Sequence, residues 1–317
     1  MSRLLLLTLL VTLFASNLAA DHKLLTPSAP YAFYFSADGK SIVSKCRDNH
    51  IRTWDTATGK LLSDNVRSAS TTLIAADLLL DGDPKSTTMT LWDLTSQRQL
   101  QLLNAEATRT AVVSPDRRFI ATANPKERSI RVWDLKTGKQ NHNLPDGLSS
   151  PSELVFSPDG ESVVSANYDN DIRVWKTKSG ELIRKVEDLT GAMFAASFTP
   201  DGKQLIMAGL DETVYIWDAK SFSLLRKLVG HGETIASLAI SPDGRTLVTG
   251  GFDVITLKNP VKLAIWDLAT GKITKSIRAD HRVSALAFSP DGKWVAFSTG
   301  ENEISLLSIE SIAAANR

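Results

Sequence analysis

Six tryptophans recur along this chain at a nearly constant distance, and this period restricts the possible fold more than any other feature. They are Trp54, Trp92, Trp133, Trp175, Trp217 and Trp266, and successive members are 38, 41, 42, 42 and 49 residues apart. One period further on, Leu307 lies in a similar apolar run without the tryptophan. A repeat of this length is one small structural unit, and it becomes stable by packing against its neighbours.

Each repeat consists of short apolar runs separated by turns, and the most complete copy extends from Gly230 to Lys272. Its first turn reads Ser-Pro-Asp-Gly, in which Pro presets φ, Asp can bond back to the backbone and Gly accepts positive φ. Related turns begin at Ser36, Ser114, Ser157, Thr199, Ser241 and Ser289. A second glycine turn follows several of the tryptophans. Short strands between such turns predict an all-β fold.

The first run of most repeats is apolar at nearly every position, so we expect a strand that is buried on both faces. Propeller blades bury their strands in this way because each blade packs between two others. Repeats of this length that end in Trp-Asp resemble the WD40 family, and five of the six tryptophans are followed by Asp, while Lys176 follows Trp175. The resemblance covers residues 21–310. A second possibility is the group of envelope propellers that share the Ser-Pro-Asp-Gly turn without regular Trp-Asp.

The resemblance implies a seven-bladed β-propeller of four-stranded antiparallel blades. The segment Lys23–Thr26 is similar to the fourth strand of a blade, so we expect it to become the outer strand of the last blade and to close the ring. The second repeat lacks the Ser-Pro-Asp-Gly turn. We expect its inner hairpin to be irregular and its Asp81–Pro84 segment to form an exposed loop.

The N-terminus has the layout of a secretory signal peptide over residues 1–20: Arg3, an apolar run and then small residues. The run is short for a bilayer span, which needs about 20 residues. We predict cleavage after Ala20, with cleavage after Ala19 or retention as an anchor as alternatives. The protein is therefore expected to be exported, periplasmic or extracellular. Residues 311–317 are assigned to a C-terminal tail.

The composition is that of an ordinary folded domain. The chain has 36 Lys+Arg and 35 Asp+Glu, which gives no reason to expect a nucleic-acid partner or, once the signal is removed, stable membrane insertion. We expect a monomer. Cys46 is the only cysteine, so no intramolecular disulfide can form. We interpret Cys46 as a small buried side chain, with a reactive thiol as the alternative.

The WD40 resemblance also implies a hydrogen-bonded network inside a blade, made of a His, a Ser or Thr, an Asp and the Trp. One repeat has all four: His231, Thr249, Asp253 and Trp266. Such a set could suggest acyl transfer. However, the Thr lies within a strand, and we expect the indole N–H to need the Asp as its acceptor. We therefore interpret this tetrad as structural and assign no catalytic residue.

The remaining motifs give no indication of a metal or a cofactor. The five histidines are never at ligand spacing from one another, although His231 and His281 occupy equivalent positions in adjacent repeats. No glycine-rich phosphate loop follows a strand and opens a helix.

Binding is the better prediction. In the WD40 family the residue before the blade Asp lies on one rim of the ring and often contacts partners. The corresponding residues here are Arg47, Lys126, Tyr168, Leu210 and Phe252, with Gly300 in the last repeat. Aromatic and Arg side chains dominate contact energies. An insertion, Val254–Val261, would extend from the same rim.

Together these features predict a non-catalytic scaffold of the cell envelope or the secreted space that binds a protein or peptide on one rim of a propeller. The alternative is a propeller enzyme, or a module that binds a glycan or a small ligand in the central channel.

Overall fold

The computed structural model describes residues 22–82, 87–105, 108, 110–124, 126, 128–145, 151–187, 189–253, 261–279, 281–299 and 301–310. The predicted signal peptide and C-terminal tail lie outside this part of the chain. Within the described residues, 28 strands form seven sheets of four strands each. No helix in these ranges is both long and apolar enough to cross a membrane.

The strands of the first six blades follow one another along the chain. Blade one contains β2 (Pro30–Phe35), β3 (Ser41–Cys46), β4 (His50–Asp55) and β5 (Leu61–Val66). Blade two contains β6 (Thr72–Ala75), β7 (Leu78–Gly82), β8 (Met89–Asp93) and β9 (Arg98–Leu103). Blade three contains β10 (Ala111–Val113), β11 (Phe119–Asn124), β12 (Ser129–Asp134) and β13 (Gln140–Pro145).

Blade four contains β14 (Pro151–Phe156), β15 (Ser162–Asn167), β16 (Ile172–Lys176) and β17 (Leu182–Val186). Blade five contains β18 (Met193–Phe198), β19 (Gln204–Gly209), β20 (Val214–Asp218) and β21 (Leu224–Leu228). Blade six contains β22 (Thr234–Ile240), β23 (Thr246–Phe252), β24 (Val261–Asp267) and β25 (Lys272–Ala279). Blade seven contains β26 (Ala285–Phe288), β27 (Trp294–Ser298), β28 (Glu303–Ser308) and, as its outer strand, β1 (His22–Leu25).

The seven blades form a closed ring. The first strand of each blade is the innermost, and it contacts the first strands of both neighbouring blades; β2 of blade one contacts β26 of blade seven. All strands within a blade are antiparallel to their neighbours. The prediction of a seven-bladed, all-β propeller with four-stranded antiparallel blades is therefore confirmed.

The ends of the chain meet in blade seven, as predicted. Strand β1 pairs with β28, and Leu24 lies opposite Ile304. The Leu24 side chain is completely buried, whereas that of Leu25 is 70% exposed. An ion pair of 3.0 Å between Lys23 and Glu303 crosses the same joint. The outer strand thus joins the two ends of the chain by backbone pairing and by burial of one leucine.

The turn between the first two strands repeats in almost identical form, as blade six illustrates. Ser241 Oγ donates to Asp243 Oδ1 at 2.5 Å and accepts a hydrogen bond from the Thr246 N–H at 2.9 Å. Gly244 has φ 71°, a conformation that favours glycine. In blade three, Arg117 adopts φ 58° at the equivalent position. These side-chain contacts explain why the same four residue types recur.

Hydrophobic side chains fill the spaces between blades. Trp266, for example, packs with Ile216 and Leu228 of the preceding blade. Cys46 is also fully buried, next to Ser44, and burial raises the pKa of its thiol. This location agrees with the interpretation of Cys46 as a small buried side chain.

Blade two is irregular, as expected, because its first two strands are joined by only Ala76-Asp77 and their register shifts between Leu73 and Ala75. The prediction of an exposed loop at Asp81–Pro84 is wrong for its first half. Asp81 and Gly82 end β7, and Asp81 accepts hydrogen bonds from Ser68 and Thr71. Asp83–Pro84 lies outside the described residues.

Candidate partner-binding rim

The two faces of the ring are built differently. Because the strands of a blade alternate in direction, its first and third turns lie on one face, which we call the turn face. The second turn and the connection to the next blade lie on the opposite face, which we call the loop rim. The repeated Ser-Pro-Asp-Gly turns occupy the turn face. The loop rim has no common sequence, so its side chains differ from blade to blade.

The five predicted contact residues all lie on the loop rim, one in each of five blades. Arg47, Tyr168 and Leu210 directly follow the second strands of their blades, and Phe252 is the last residue of β23. Lys126 lies between β11 and β12. Tyr168 is 58% exposed and Leu210 43% exposed. Arg47 and Lys126 are also exposed, while Phe252 is half-buried.

Two of these side chains reach across to the next blade. The ring of Tyr168 contacts that of Phe194 in β18, with 5.9 Å between centroids. The guanidinium of Arg282, which precedes β26, lies 5.1 Å from the centre of the Phe252 ring. The rim residues therefore contact the beginnings of the inner strands, close to the central channel.

Phe194 was not predicted as a rim residue. It is the residue at which the pairing of β18 with β19 shifts register, and Tyr31 occupies the equivalent position in blade one. Tyr31 is 44% exposed. In the sequence, both residues are the second residue of the first strand of a blade. One extra residue at this position interrupts the regular alternation of side chains and turns the side chain outward.

Inside blade six, the indole N–H of Trp266 donates to Thr249 Oγ1 at 2.8 Å. The expectation that this indole uses the Asp as its acceptor is therefore wrong. His231 is 1% exposed, and its Nδ1 donates to the backbone oxygen of Glu233 at 3.0 Å. Burial lowers the pKa of His231 to about 4, so the ring is neutral at pH 7. Asp253 directly follows β23, and residues 254–260 of the insertion lie outside the described part of the chain.

Blade one is stabilised by an arginine. The indole of Trp54 donates to Ser44 Oγ at 3.0 Å, as its counterpart does in blade six. Arg52, which is 2% exposed, donates two hydrogen bonds to Asp48, at 2.6 and 3.1 Å, and one to Asp64 at 3.2 Å. These bonds hold the pKa of Asp48 below its usual value. Arg52 therefore anchors the blade Asp where the repeat has no histidine.

The remaining blades show further variants. Trp133 of blade three donates to Thr122 Oγ1 at 2.9 Å, a pair that the sequence analysis missed because 11 residues rather than 10 separate its members. In blade five, Asp211 accepts from Tyr215 Oη at 2.5 Å and from the hydroxyl of Thr190. The Trp175 indole makes no hydrogen bond within the described residues. The blades thus stabilise the same framework with different side chains.

The two histidines at equivalent positions in adjacent repeats have different surroundings. His281 is 3.4 Å from Glu301, while His231 is buried against the backbone of Glu233, so the two histidines have different partners. In the part of the chain that the structure describes, no three His, Cys, Asp or Glu side chains are placed to hold a metal ion. The loop rim remains the main candidate site.

Comparison with known proteins supports the repeat assignment. The family model described as "WD domain, G-beta repeat" matches residues 139–176, 181–218, 222–253 and 271–306. Four segments of the chain therefore match WD40 repeats, and they lie in blades three to seven of the propeller. The small ribosomal subunit protein RACK1 of Neurospora crassa is 28% identical over 142 residues, which cover 41% of this chain. The match spans 45% of that relative, less than half its length.

Proposed function

We propose that this protein is a non-catalytic scaffold that binds a protein or peptide on its loop rim. The observation that carries the proposal is the set of exposed rim side chains Tyr31, Tyr168 and Leu210, with Phe194 packed against Tyr168. Aromatic side chains contribute much of the energy of protein contacts. An exposed apolar surface of this kind is a common feature of binding sites.

The charged residues of the rim add to this surface. Arg47 and Lys126 are exposed beside the apolar residues, and Arg282 lies over the ring of Phe252. Charged groups at the edge of an interface accelerate encounter and select the orientation of the partner. The RACK1 relative is named as a protein of the small ribosomal subunit, which is a larger assembly. This name agrees with a binding role for the present chain.

We further propose that the protein is exported and acts as a monomer in the periplasm or outside the cell. The support is the sequence of residues 1–20, in which Arg3 precedes an apolar run and then small residues. N-terminal sequencing of the protein from each cell fraction tests this. Export predicts a chain that begins at Asp21 or Ala20 in the envelope or medium. An intact Met1 in the cytoplasmic fraction would contradict it.

The rim proposal is tested by recovering partners from envelope or secreted extract. A variant with Arg47→Ala, Tyr168→Ala and Phe252→Ala is compared with the wild type. The matched control carries Leu62→Ala, Leu100→Ala and Leu225→Ala, which remove side chains that are 50–55% exposed on outer strands. We expect the rim variant to recover at least about tenfold less partner, since hot spots contribute about 2 kcal/mol or more each, and the control to match the wild type. Equal recovery by the rim variant would refute the proposal.

A further inference from the structure

The central channel contains a carboxylate that the rim does not use. Along the inner strand β14, Leu154 is 2% exposed and packs between blades, whereas Glu153 and Val155 lie on the opposite face of the strand and are only half-buried. Glu153 is the only Asp, Glu, Lys, Arg or His in the seven inner strands β2, β6, β10, β14, β18, β22 and β26. The seven inner strands surround the channel, so they bring one carboxylate and no cation to it.

Val155, two residues after Glu153 in the same strand, lines an apolar cavity of about 310 Å³. Its walls come from blades three, four and five and include Val112, Val155, Phe156 and Phe198. Pro158, in a Ser-Pro-Asp-Gly turn, also lines it, so the cavity lies at the turn-face end of the channel. Glu153 and Val155 are two residues apart on one face of the strand. The carboxylate therefore lies about 7 Å from Val155 along the strand, on the side away from the turn face.

A tyrosine of blade one completes this arrangement. Tyr34 occupies the position in β2 that Val155 has in β14, two residues before the turn, and it is 38% exposed. Partial removal from water raises the pKa of Tyr34 to about 12, and the negative charge of Glu153 contributes to this increase. Burial likewise raises the pKa of Glu153 to about 7, against an opposing hydrogen bond from the Leu154 backbone.

We propose that the channel binds a small amphiphilic organic cation, an alkyl ammonium whose head group pairs with Glu153 and whose alkyl chain enters the apolar cavity. A carboxylate surrounded by protein without a cation is unfavourable, and a bound ammonium group offsets that cost. The aromatic ring of Tyr34 can contribute a cation–π contact. A cavity of 310 Å³ is at the small end of the range for ligand sites. This site is separate from the loop rim.

Calorimetric titration of the purified protein at pH 8 with n-hexylamine, and with 1-hexanol as the neutral control, tests the proposal. We expect the amine to bind at least about tenfold more tightly than the alcohol. Glu153→Gln should abolish this difference. Glu187→Gln removes the same charge from a side chain that is 61% exposed in the same blade, and should preserve the difference. Equal binding of amine and alcohol by the wild type, or an unchanged preference in Glu153→Gln, would overturn the proposal.

Two further measurements identify the parts of the site. Val112→Phe fills the cavity and should weaken hexylamine at least about fivefold, with the fold checked by circular dichroism; unchanged affinity would exclude the cavity. At pH 6 the affinity of the wild type should also fall, because Glu153, with a pKa of about 7, becomes protonated while Tyr34, with a pKa of about 12, keeps its proton. An affinity that is equal at pH 6 and pH 8 would contradict pairing with the carboxylate.

A lysine side chain carries the same head group as a free alkylamine. Nα-acetyl-lysine amide is therefore titrated in parallel with hexylamine. Tighter binding of hexylamine assigns the site to free amines, and tighter binding of the lysine amide assigns it to the side chain of a protein.

Discussion

Blades one and six use the same tryptophan but stabilise it with different partners. In both, the indole N–H donates to a buried hydroxyl, from Ser44 in one blade and from Thr249 in the other. Blade six then adds a buried neutral histidine, whereas blade one adds Arg52 between two aspartates. The residue two before the tryptophan differs accordingly: it is Arg52 in blade one and the small, buried Ala264 in blade six.

This difference agrees with the interpretation of the tetrad as structural. A catalytic group depends on one particular side chain, but a structural anchor can be replaced by another polar group whose own hydrogen bonds are satisfied inside the blade. His231 donates to the backbone oxygen of Glu233, whereas Arg52 donates to Asp48 and Asp64, so the two blades add different polar contacts to the same tryptophan–hydroxyl pair. We therefore interpret these internal polar groups as stabilising elements, and we expect binding on the surfaces that differ between blades.

The largest effect is expected for Arg52→Met, which leaves Asp48 and Asp64 without their shared cation. We expect a loss of about 3 kcal/mol in the free energy of unfolding in urea at pH 7. Arg117→Met is the control, because Arg117 is 56% exposed and forms a surface ion pair with Asp77, for which at most about 1 kcal/mol is expected. Similar losses in both variants would mean that Arg52 is not a buried anchor.

The same arginine also predicts a dependence on pH. The pKa of Asp48 is lowered in the folded protein, first of all by its hydrogen bonds from Arg52. The stabilisation is then complete above the ordinary carboxyl pKa and is lost as the pH falls below it. Arg52→Met should therefore lose less stability than the wild type on acidification below about pH 4.

Blade six should respond to acid at a higher pH than blade one. The pKa of His231 is about 4 in the folded protein, compared with 6.5 for an unperturbed histidine. The unfolded chain therefore binds more protons between these values, and stability falls as the pH drops from 6.5 to 4, by up to about 3 kcal/mol.

His231→Gln should lose this component of the pH dependence. The quantity to measure is the difference between the unfolding free energies of variant and wild type at pH 7, 5.5 and 4.5. The pKa of Glu153 is raised in the folded protein, so its protonation favours the folded state as the pH falls, which is opposite in sign to the effect of His231. This contribution is the same in variant and wild type and cancels in the difference between their unfolding free energies. A difference that does not change with pH would contradict a buried neutral histidine.

A smaller effect is expected for Thr249→Val, which keeps the shape of the side chain but leaves the Trp266 indole N–H buried without an acceptor. The expected cost is about 2 kcal/mol. The control is the same substitution in a Trp266→Phe background, where no indole remains to be satisfied and the cost should be smaller. An equal cost in both backgrounds would show that the hydroxyl does not act through the indole.

Most of the fold could be predicted because it depends on a periodic sequence. The tryptophan spacing and the glycine turns correctly indicated seven blades, and the similarity of Lys23–Thr26 to an outer strand indicated the closure. The missed features depend on local irregularities. Thr122 was overlooked because of one extra residue before Trp133, and Phe194 because a register shift turns its side chain outward.

Glu153 was missed for a different reason. Strand β14 reads as largely apolar, and the direction of one side chain depends on which face of the strand lines the channel. Periodicity predicts that such a strand is buried on both faces, but it does not distinguish the channel side from the blade interface. That distinction required the closed ring of inner strands.

The two faces of the ring give the most direct test of the account, because the turn face repeats one sequence and the loop rim does not. A photoreactive benzoylphenylalanine is placed either at Tyr168 on the rim or at Lys203 on the turn face, whose side chain is 80% exposed. Each protein is irradiated in cells that express it with residues 1–20 intact. A partner bound to the loop rim predicts a discrete crosslinked species from position 168 and none from position 203. A species from position 203, with none from position 168, would contradict the account.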